Sequence, residues 1–212
     1  MPIIIPGVRN RNNATTADVI AEQIALCKAN LLSIEKIATF RKAREKRDEI
    51  SRRLRGCHDF LGMAGSRKYG CLYREIGLKS NENVVCEHAI PVTALVSLYQ
   101  KGVSFERLVF YPVARISKKS DMRFGKNGTV KSGYDETLDQ TLDDTFDDTD
   151  IRPFLRYCDA NILIETHKGD EVNCETWTMK DHWRLIEETE EIASIKYQVS
   201  QKLEIWKQLH AF

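Results

Sequence analysis

Apolar residues recur at intervals of three and four near both ends of this chain, which is the period of a helix with one buried face. The first such pattern runs from about residue 16 to about residue 55, where Gly56 follows as a helix end. The second runs through residues 178–210 and opens on the capping-box pair Thr178 and Asp181. We therefore predict a long N-terminal helix, or two in line, and a long C-terminal helix.

Short apolar runs separated by glycine-rich stretches fill the middle of the chain. "NVVCEH" and "RLVFYPVARIS" predict two strands, the second with Pro112 at an edge or a bulge, and a third strand is predicted from Ile162 to Glu165. "VTALVSLYQKG" and "KKSDMRFG" predict a helix and a short helix. The expected fold class is α+β, with a helical region at 1–56 and an α+β domain at 57–212.

The composition of the chain indicates a folded protein and disfavours membrane-spanning and secreted classes. The 212 residues are 42% hydrophobic and 30% charged, with a net charge of +1. No apolar run approaches the roughly 18 residues of a membrane span, and the opening segment does not resemble a secretory signal. We expect a cytoplasmic protein that does not bind membranes.

The six cysteines form no C-x-x-C pair, which favours reduced thiols. Three of these cysteines and two histidines, all between residues 57 and 88, form a candidate set of zinc ligands. Because closed zinc sites usually bring ligands in close pairs and this set is only partly paired, the sequence disfavours structural zinc. Its members are Cys57, His58, Cys71, Cys86 and His88.

Charge is distributed unevenly along this nearly neutral chain. Twelve basic and five acidic residues lie between Arg41 and Lys79, and a second basic stretch begins at Arg115. Such segments indicate either a solvated face or a surface that grips nucleic-acid phosphates. The candidate nucleic-acid-binding residues are Arg44, Arg47, Arg52, Arg55, Arg115, Lys118 and Lys119.

An acidic tract at residues 135–150 holds eight carboxylates and no Lys or Arg. Its simplest interpretation is a solvated loop, because low hydrophobicity and like charge oppose folding. A more specific interpretation is that the acidic tract covers the basic surface and mimics nucleic-acid phosphates. A third hypothesis for the whole chain is an interaction protein whose tract mimics DNA.

Glu87 and His88 close the first predicted strand, and Pro91 follows three residues after the histidine. The order strand, Glu-His-x-x-Pro, connection, strand, short helix resembles the ββα-metal nucleases of the HNH group, over residues 84–125. This resemblance implies that His88 is the general base and that Glu87 and Asp121 hold a divalent metal. The asparagine that orients the histidine in that family is missing from "LVFYPVARIS".

The chemistry of these residue types suits phosphodiester hydrolysis. A histidine can deprotonate water near neutral pH, and a cation held by carboxylates stabilises charge on the leaving oxygen. Carboxylate ligands favour Mg²⁺ or Mn²⁺. The sequence thus predicts a metal-dependent endonuclease that acts on DNA. The alternative is a non-catalytic nucleic-acid or protein-binding module in which Glu87 and His88 are structural.

Overall fold

The computed structural model describes residues 17–37, 43–60, 71–79, 82–124 and 147–209. These residues form eight helices and five short strands. The helices are α1 (Ala17–Ile37), α2 (Ala43–Phe60), α3 (Val92–Gln100), α4 (Phe105–Val109), α5 (Lys118–Asp121), α6 (Leu155–Asp159), α7 (Met179–Glu188) and α8 (Glu190–Leu209). The strands are β1 (Tyr73–Glu75), β2 (Val84–His88), β3 (Val113–Ser117), β4 (Ile164–Thr166) and β5 (Glu171–Val172).

The five strands make one small mixed sheet in the order β2-β3-β1-β4-β5. β1 runs parallel to β3, and the other neighbours are antiparallel. The N-terminal helix α1 packs against α2 and the C-terminal helix α8, and the short helix α5 packs on β2 and β3. The predicted α+β fold class is confirmed.

The unit β2-β3-α5 positions the candidate site. β2 and β3 pair over their whole lengths, from Val84 opposite Ser117 to His88 opposite Val113, and α5 follows β3 without a gap. The two strands are therefore neighbours, which is the arrangement that a ββα unit requires. The prediction of one strand over "RLVFYPVARIS" is wrong in its first half, because residues up to Val109 form α4. Ser104 caps that helix by accepting from the amide of Arg107.

The N-terminal helical region consists of two helices, and the predicted helix end at Gly56 is wrong. α2 passes through Gly56 to Phe60, so His58 lies on the helix and is fully buried. The apolar face of α1, with Ile20 and Ile24 at its centre, is buried against α2 and α8 of the same chain. The apolar first half of this region also suggests a homodimer through the N-terminal helix, which stays a prediction.

The C-terminal pattern forms two helices where one was predicted. Thr178 and Asp181 form the predicted capping box at the start of α7. The helix then breaks at Thr189, whose backbone is extended and whose hydroxyl donates to the carbonyl of Leu185 at 2.7 Å. A threonine hydroxyl that satisfies a carbonyl of the preceding turn competes with continuation of the helix. The buried stripe continues into α8 through Ile192 and its successors.

The acidic tract lies mostly outside the described residues, which resume at Asp147. The interpretation of a wholly solvated loop is wrong for Asp148, because this carboxylate is fully buried. It accepts hydrogen bonds from Arg107, from the Tyr111 hydroxyl at 2.6 Å and from the Trp183 indole at 3.2 Å. A buried carboxylate is tolerated when it is paired in this way. Within the described part of the chain, no helix has the length and apolar character needed to cross a membrane.

Candidate active site at the end of strand β2

Arg156 from α6 holds the end of β2. Its Nη2 donates to the carboxylate of Glu87 and, at 2.5 Å, to the carbonyl oxygen of His88. The guanidinium lies over the Phe124 ring, 4.2 Å from its centre. This arginine is almost fully buried, whereas the Glu87 side chain is 28% exposed. The Arg156 guanidinium therefore fixes both the backbone at His88 and the side chain of Glu87.

The short helix α5 is held in place by Glu75 of β1. The Glu75 carboxylate accepts from the amide of Ser117 at 2.6 Å and from the Ser120 hydroxyl at 2.7 Å. A carboxylate at the first turn of a helix satisfies amides that have no partner within the helix. This contact fixes the position of Asp121 at the end of α5.

Asp121 and Glu87 are neighbours across the site. Partial burial raises the pKa of the Asp121 carboxyl, and the negative charge of Glu87 raises it further. The positive charges of Arg156 and Lys118 act in the opposite direction. Two carboxylates that repel each other in this way are a place where a cation is favourable.

The imidazole of His88 pairs with that of His58 from α2. His58 Nδ1 and His88 Nε2 are 2.8 Å apart, and His58 Nε2 is 3.3 Å from the carbonyl oxygen of Leu108. Burial lowers the pKa of His58 to about 4 and that of His88 to about 2. Both rings are therefore neutral at physiological pH.

The structure divides the predicted site residues into two groups. Glu87 and Asp121 interact with each other and with Arg156, whereas the His88 ring contacts His58. Among the described residues, no group of three His, Cys, Asp or Glu side chains could hold a metal ion. Two neighbouring carboxylates fit a hard cation such as Mg²⁺, which keeps most of its ligands from water and substrate phosphate. They do not fit a closed zinc site, which needs four protein ligands.

The candidate zinc set is distributed over three separate pairs. The sulfurs of Cys71 and Cys86 are 3.1 Å apart, and His58 pairs with His88 as described. Cys57 forms its hydrogen bond with Cys27 of α1. Each member of the candidate zinc set thus has a nearby side-chain partner, and no four of them converge on one point as a closed zinc site requires.

Four of the predicted nucleic-acid-binding residues form an exposed row on α2, here called the α2 arginine stripe. Its members are Arg44, Arg47, Arg52 and Arg55. Within the stripe, Arg52 also pairs with the buried Glu49 at 2.6 Å. The charge of Arg55 lowers the pKa of both His58 and His88, which places this end of the stripe near the histidine pair. The stripe thus leads towards the candidate site.

The remaining basic predictions lie on β3 and α5. Lys118 and Lys119 are exposed on α5, beside Asp121. Arg115 is only partly exposed, and its Nε is buried without a hydrogen-bond partner among the described residues. It pairs across the strands with Cys86, so its side chain lies on the face of the sheet opposite Glu87. A direct contact of Arg115 with nucleic acid stays a prediction.

Sequence reasoning missed three residues that build the site: Glu75, His58 as a partner of His88, and Arg156. Arg156 is 69 residues from Glu87 along the chain, and His58 is 30 residues from His88. Arg156 lies in the segment "RPFLRY", and nothing in that segment identifies Glu87 as its partner. No family model, curated protein or solved structure matches this chain.

Proposed function

We propose that this protein is a metal-dependent nuclease that hydrolyses phosphodiester bonds in DNA. The observation that carries the proposal is that the charge of Glu87 acts on the Asp121 carboxyl, while the next residue of β2, on the opposite face of the sheet, is His88. Because all six cysteines are thiols, we include a cytoplasmic location in the proposal.

The residues of the site would divide the work as follows. Glu87 and Asp121 would hold Mg²⁺ or Mn²⁺, which supplies charge stabilisation at the leaving oxygen. His88 would be the general base that accepts a proton from the attacking water; burial lowers its pKa to about 2, so this role requires that bound metal and substrate raise that pKa. Arg156 orients the Glu87 carboxylate through the hydrogen bond from its Nη2.

Two buried polar groups beside the carboxylates support a ligand site. The Tyr157 hydroxyl and Arg156 Nε are buried and make no well-aligned hydrogen bond within the described residues, although the Arg156 guanidinium lies close enough to act on this hydroxyl. The charge of Glu87 acts on Tyr157, so this hydroxyl lies near the same site. Most buried polar groups in native proteins are satisfied, and exceptions often mark places where water or a ligand binds.

The surrounding charges support a polyanionic substrate. The α2 arginine stripe ends near the histidine pair, and Lys118 with Lys119 lies beside Asp121. Exposed Lys and Arg side chains bind phosphates in any sequence and release counterions as they do so. This arrangement would place a scissile phosphate between the two basic segments.

The second candidate is a non-catalytic nucleic-acid or protein-binding module. One observation favours it: the Glu87 carboxylate already accepts a hydrogen bond from Arg156, as a structural ion pair would. In this case the α2 arginine stripe would still bind phosphate, and the histidine pair would serve only to fill the core.

A metal titration of cleavage separates these functions. The purified protein is incubated with single-stranded DNA, double-stranded DNA and RNA over a range of Mg²⁺ and Mn²⁺ concentrations. Glu87→Gln and Asp121→Asn should each raise the metal concentration needed for half-maximal cleavage, because each removes a charge that attracts the cation. Glu106→Gln, which removes a carboxylate of α4, is the matched control and should leave it unchanged. Wild-type protein that cuts no substrate with either metal would contradict the proposal.

A further inference from the structure

His58 and His88 form a chain of hydrogen bonds whose direction is set at one end. The carbonyl oxygen of Leu108 can only accept, so the ring nitrogen facing it, His58 Nε2 at 3.3 Å, must carry the proton. A neutral imidazole has a single N–H, and therefore His58 Nδ1 is bare. This bare nitrogen lies 2.8 Å from His88 Nε2 and must accept its proton. His88 Nδ1 is then the nitrogen that keeps a lone pair.

We infer that His58 is a positioning residue that fixes the tautomer of His88 and leaves the lone pair of that ring on Nδ1. In the chemistry proposed above, a general base needs this lone pair directed at water, so the effect on cleavage rests on the proposed function. The tautomer itself does not.

Burial makes this hydrogen-bond chain the main determinant of the tautomer. Both rings are almost fully removed from water, so solvent offers little to stabilise a second tautomer. The reversed direction would leave His58 Nε2 bare against the Leu108 carbonyl, with two lone pairs facing each other. The Leu108 carbonyl would still accept from the Tyr111 amide, so the cost of the reversed direction lies in the buried bare nitrogen and in the repulsion between the two lone pairs. The observed contacts therefore select one direction.

His58 orients the His88 ring, a role for which the Glu-His-x-x-Pro segment and the strand that follows it offer no residue. The asparagine expected in the following strand is absent from "LVFYPVARIS", and His58 supplies an acceptor to the histidine from a helix 30 residues earlier. Arg55 of the α2 arginine stripe lies one helical turn before His58. The same helix thus carries a phosphate-binding face and the partner of the proposed base.

Nitrogen NMR of the histidine rings tests the inference directly. In protein labelled with ¹⁵N-histidine, long-range ¹H–¹⁵N correlations distinguish a protonated ring nitrogen from a bare one, and His88→Gln assigns the His88 signals. The wild type should show His88 protonated on Nε2 and bare on Nδ1. His58→Phe removes the acceptor and should convert His88 to a mixture of tautomers. The matched control is His182→Phe, another fully buried histidine, which should leave the His88 signals unchanged.

Cleavage kinetics supply the second readout. Loss of a residue that orients a functional histidine typically costs about 10- to 100-fold, and we expect a fall of this size in kcat for His58→Phe, with KM within about twofold. His58→Gln should restore most of the rate, because its amide offers an acceptor to His88 and a donor to the Leu108 carbonyl. Equal losses in His58→Gln and His58→Phe would overturn the positioning role.

The two readouts keep failures apart. A wild type with His88 protonated on Nδ1, or an unchanged tautomer in His58→Phe, would overturn the inference whether or not the protein cleaves DNA. A wild type that shows the expected tautomer but cuts no nucleic acid would contradict the proposed nuclease alone. If His58→Phe does not fold, the wild-type tautomer and His58→Gln still decide the question.

Discussion

Two polar clusters in this molecule combine the same kinds of side chain but differ in how completely they are satisfied. In the Asp148 cluster, one carboxylate accepts four hydrogen bonds, from Arg107, Tyr111 and Trp183. At the end of β2, Arg156 binds the carboxylate of Glu87, and burial together with the charge of Glu87 raises the pKa of Asp121. The first arrangement stabilises the fold as it stands. In the second, the Asp121 carboxyl keeps a raised pKa that a bound cation would lower.

The buried histidines of the two regions show the same difference. His182 uses both ring nitrogens: Nε2 donates to the Phe110 carbonyl at 2.6 Å, and Nδ1 accepts from the Tyr73 hydroxyl at 2.9 Å. His88 uses only Nε2 within the described residues. Burial makes both rings neutral, so pKa alone does not separate a structural histidine from a proposed base. The unused lone pair does.

Alanine replacements should separate the two histidines most sharply. His88→Ala should lower metal-dependent cleavage by about 10²- to 10⁴-fold, the usual loss for a positioned base. His182→Ala should destabilise the protein and leave the rate per folded molecule unchanged. Rates are measured at a temperature where urea titration shows both variants to be folded. Equal rates for His88→Ala and wild type would remove the functional distinction between the two regions.

Asp148→Asn should cost about 3 kcal/mol of unfolding free energy. The neutral amide loses the charge-assisted hydrogen bonds from Arg107, and its NH2 group adds a donor to a buried site where Arg107, Tyr111 and Trp183 already donate. The exposed neighbour Asp147→Asn is the matched control and should leave the denaturation midpoint nearly unchanged. A midpoint unmoved by Asp148→Asn would show that the Asp148 cluster is not the structural counterpart proposed here.

Acidification should weaken the fold through His182. Burial lowers its pKa from 6.5 to about 4, so the unfolded chain takes up the proton first as the pH falls. The stability that depends on the neutral ring is fully present above about pH 6.5 and is lost towards pH 4, by about 2 kcal/mol between pH 7 and pH 5. Urea titrations across this interval should give a shallower loss for His182→Gln, which does not titrate. Parallel curves for the two proteins would contradict the assignment.

Single arginine replacements give the smallest expected effect. Arg55→Gln should weaken DNA binding severalfold and reduce the slope of log affinity against log salt by about 0.9, the value for one phosphate contact. Arg184→Gln, which removes an exposed arginine of α7, should leave the slope unchanged. If both variants change the slope equally, DNA does not bind preferentially to the exposed face of α2.

Periodicity and turn chemistry predict much of the fold, and tertiary contacts decide the remainder. The capping box at Thr178 and the pairing of β2 with β3 follow from local patterns. The apolar run before Pro112 is compatible with either a helix or a strand. Ser104 caps the first turn and thereby favours the helix. For the candidate site, sequence gives Glu87 and His88, but the approach of Arg156 depends on packing across the sheet, which no local pattern encodes.

The most direct test of the central claim is anomalous diffraction from a crystal of the wild-type protein soaked with Mn²⁺. We expect a manganese peak between the carboxylates of Glu87 and Asp121, with the remaining ligands supplied by water. Asp121→Asn crystals, soaked in the same way, should show a weaker peak or none. An empty site in the wild type, with Arg156 still bound to Glu87, would contradict the proposed metal site and favour a structural ion pair.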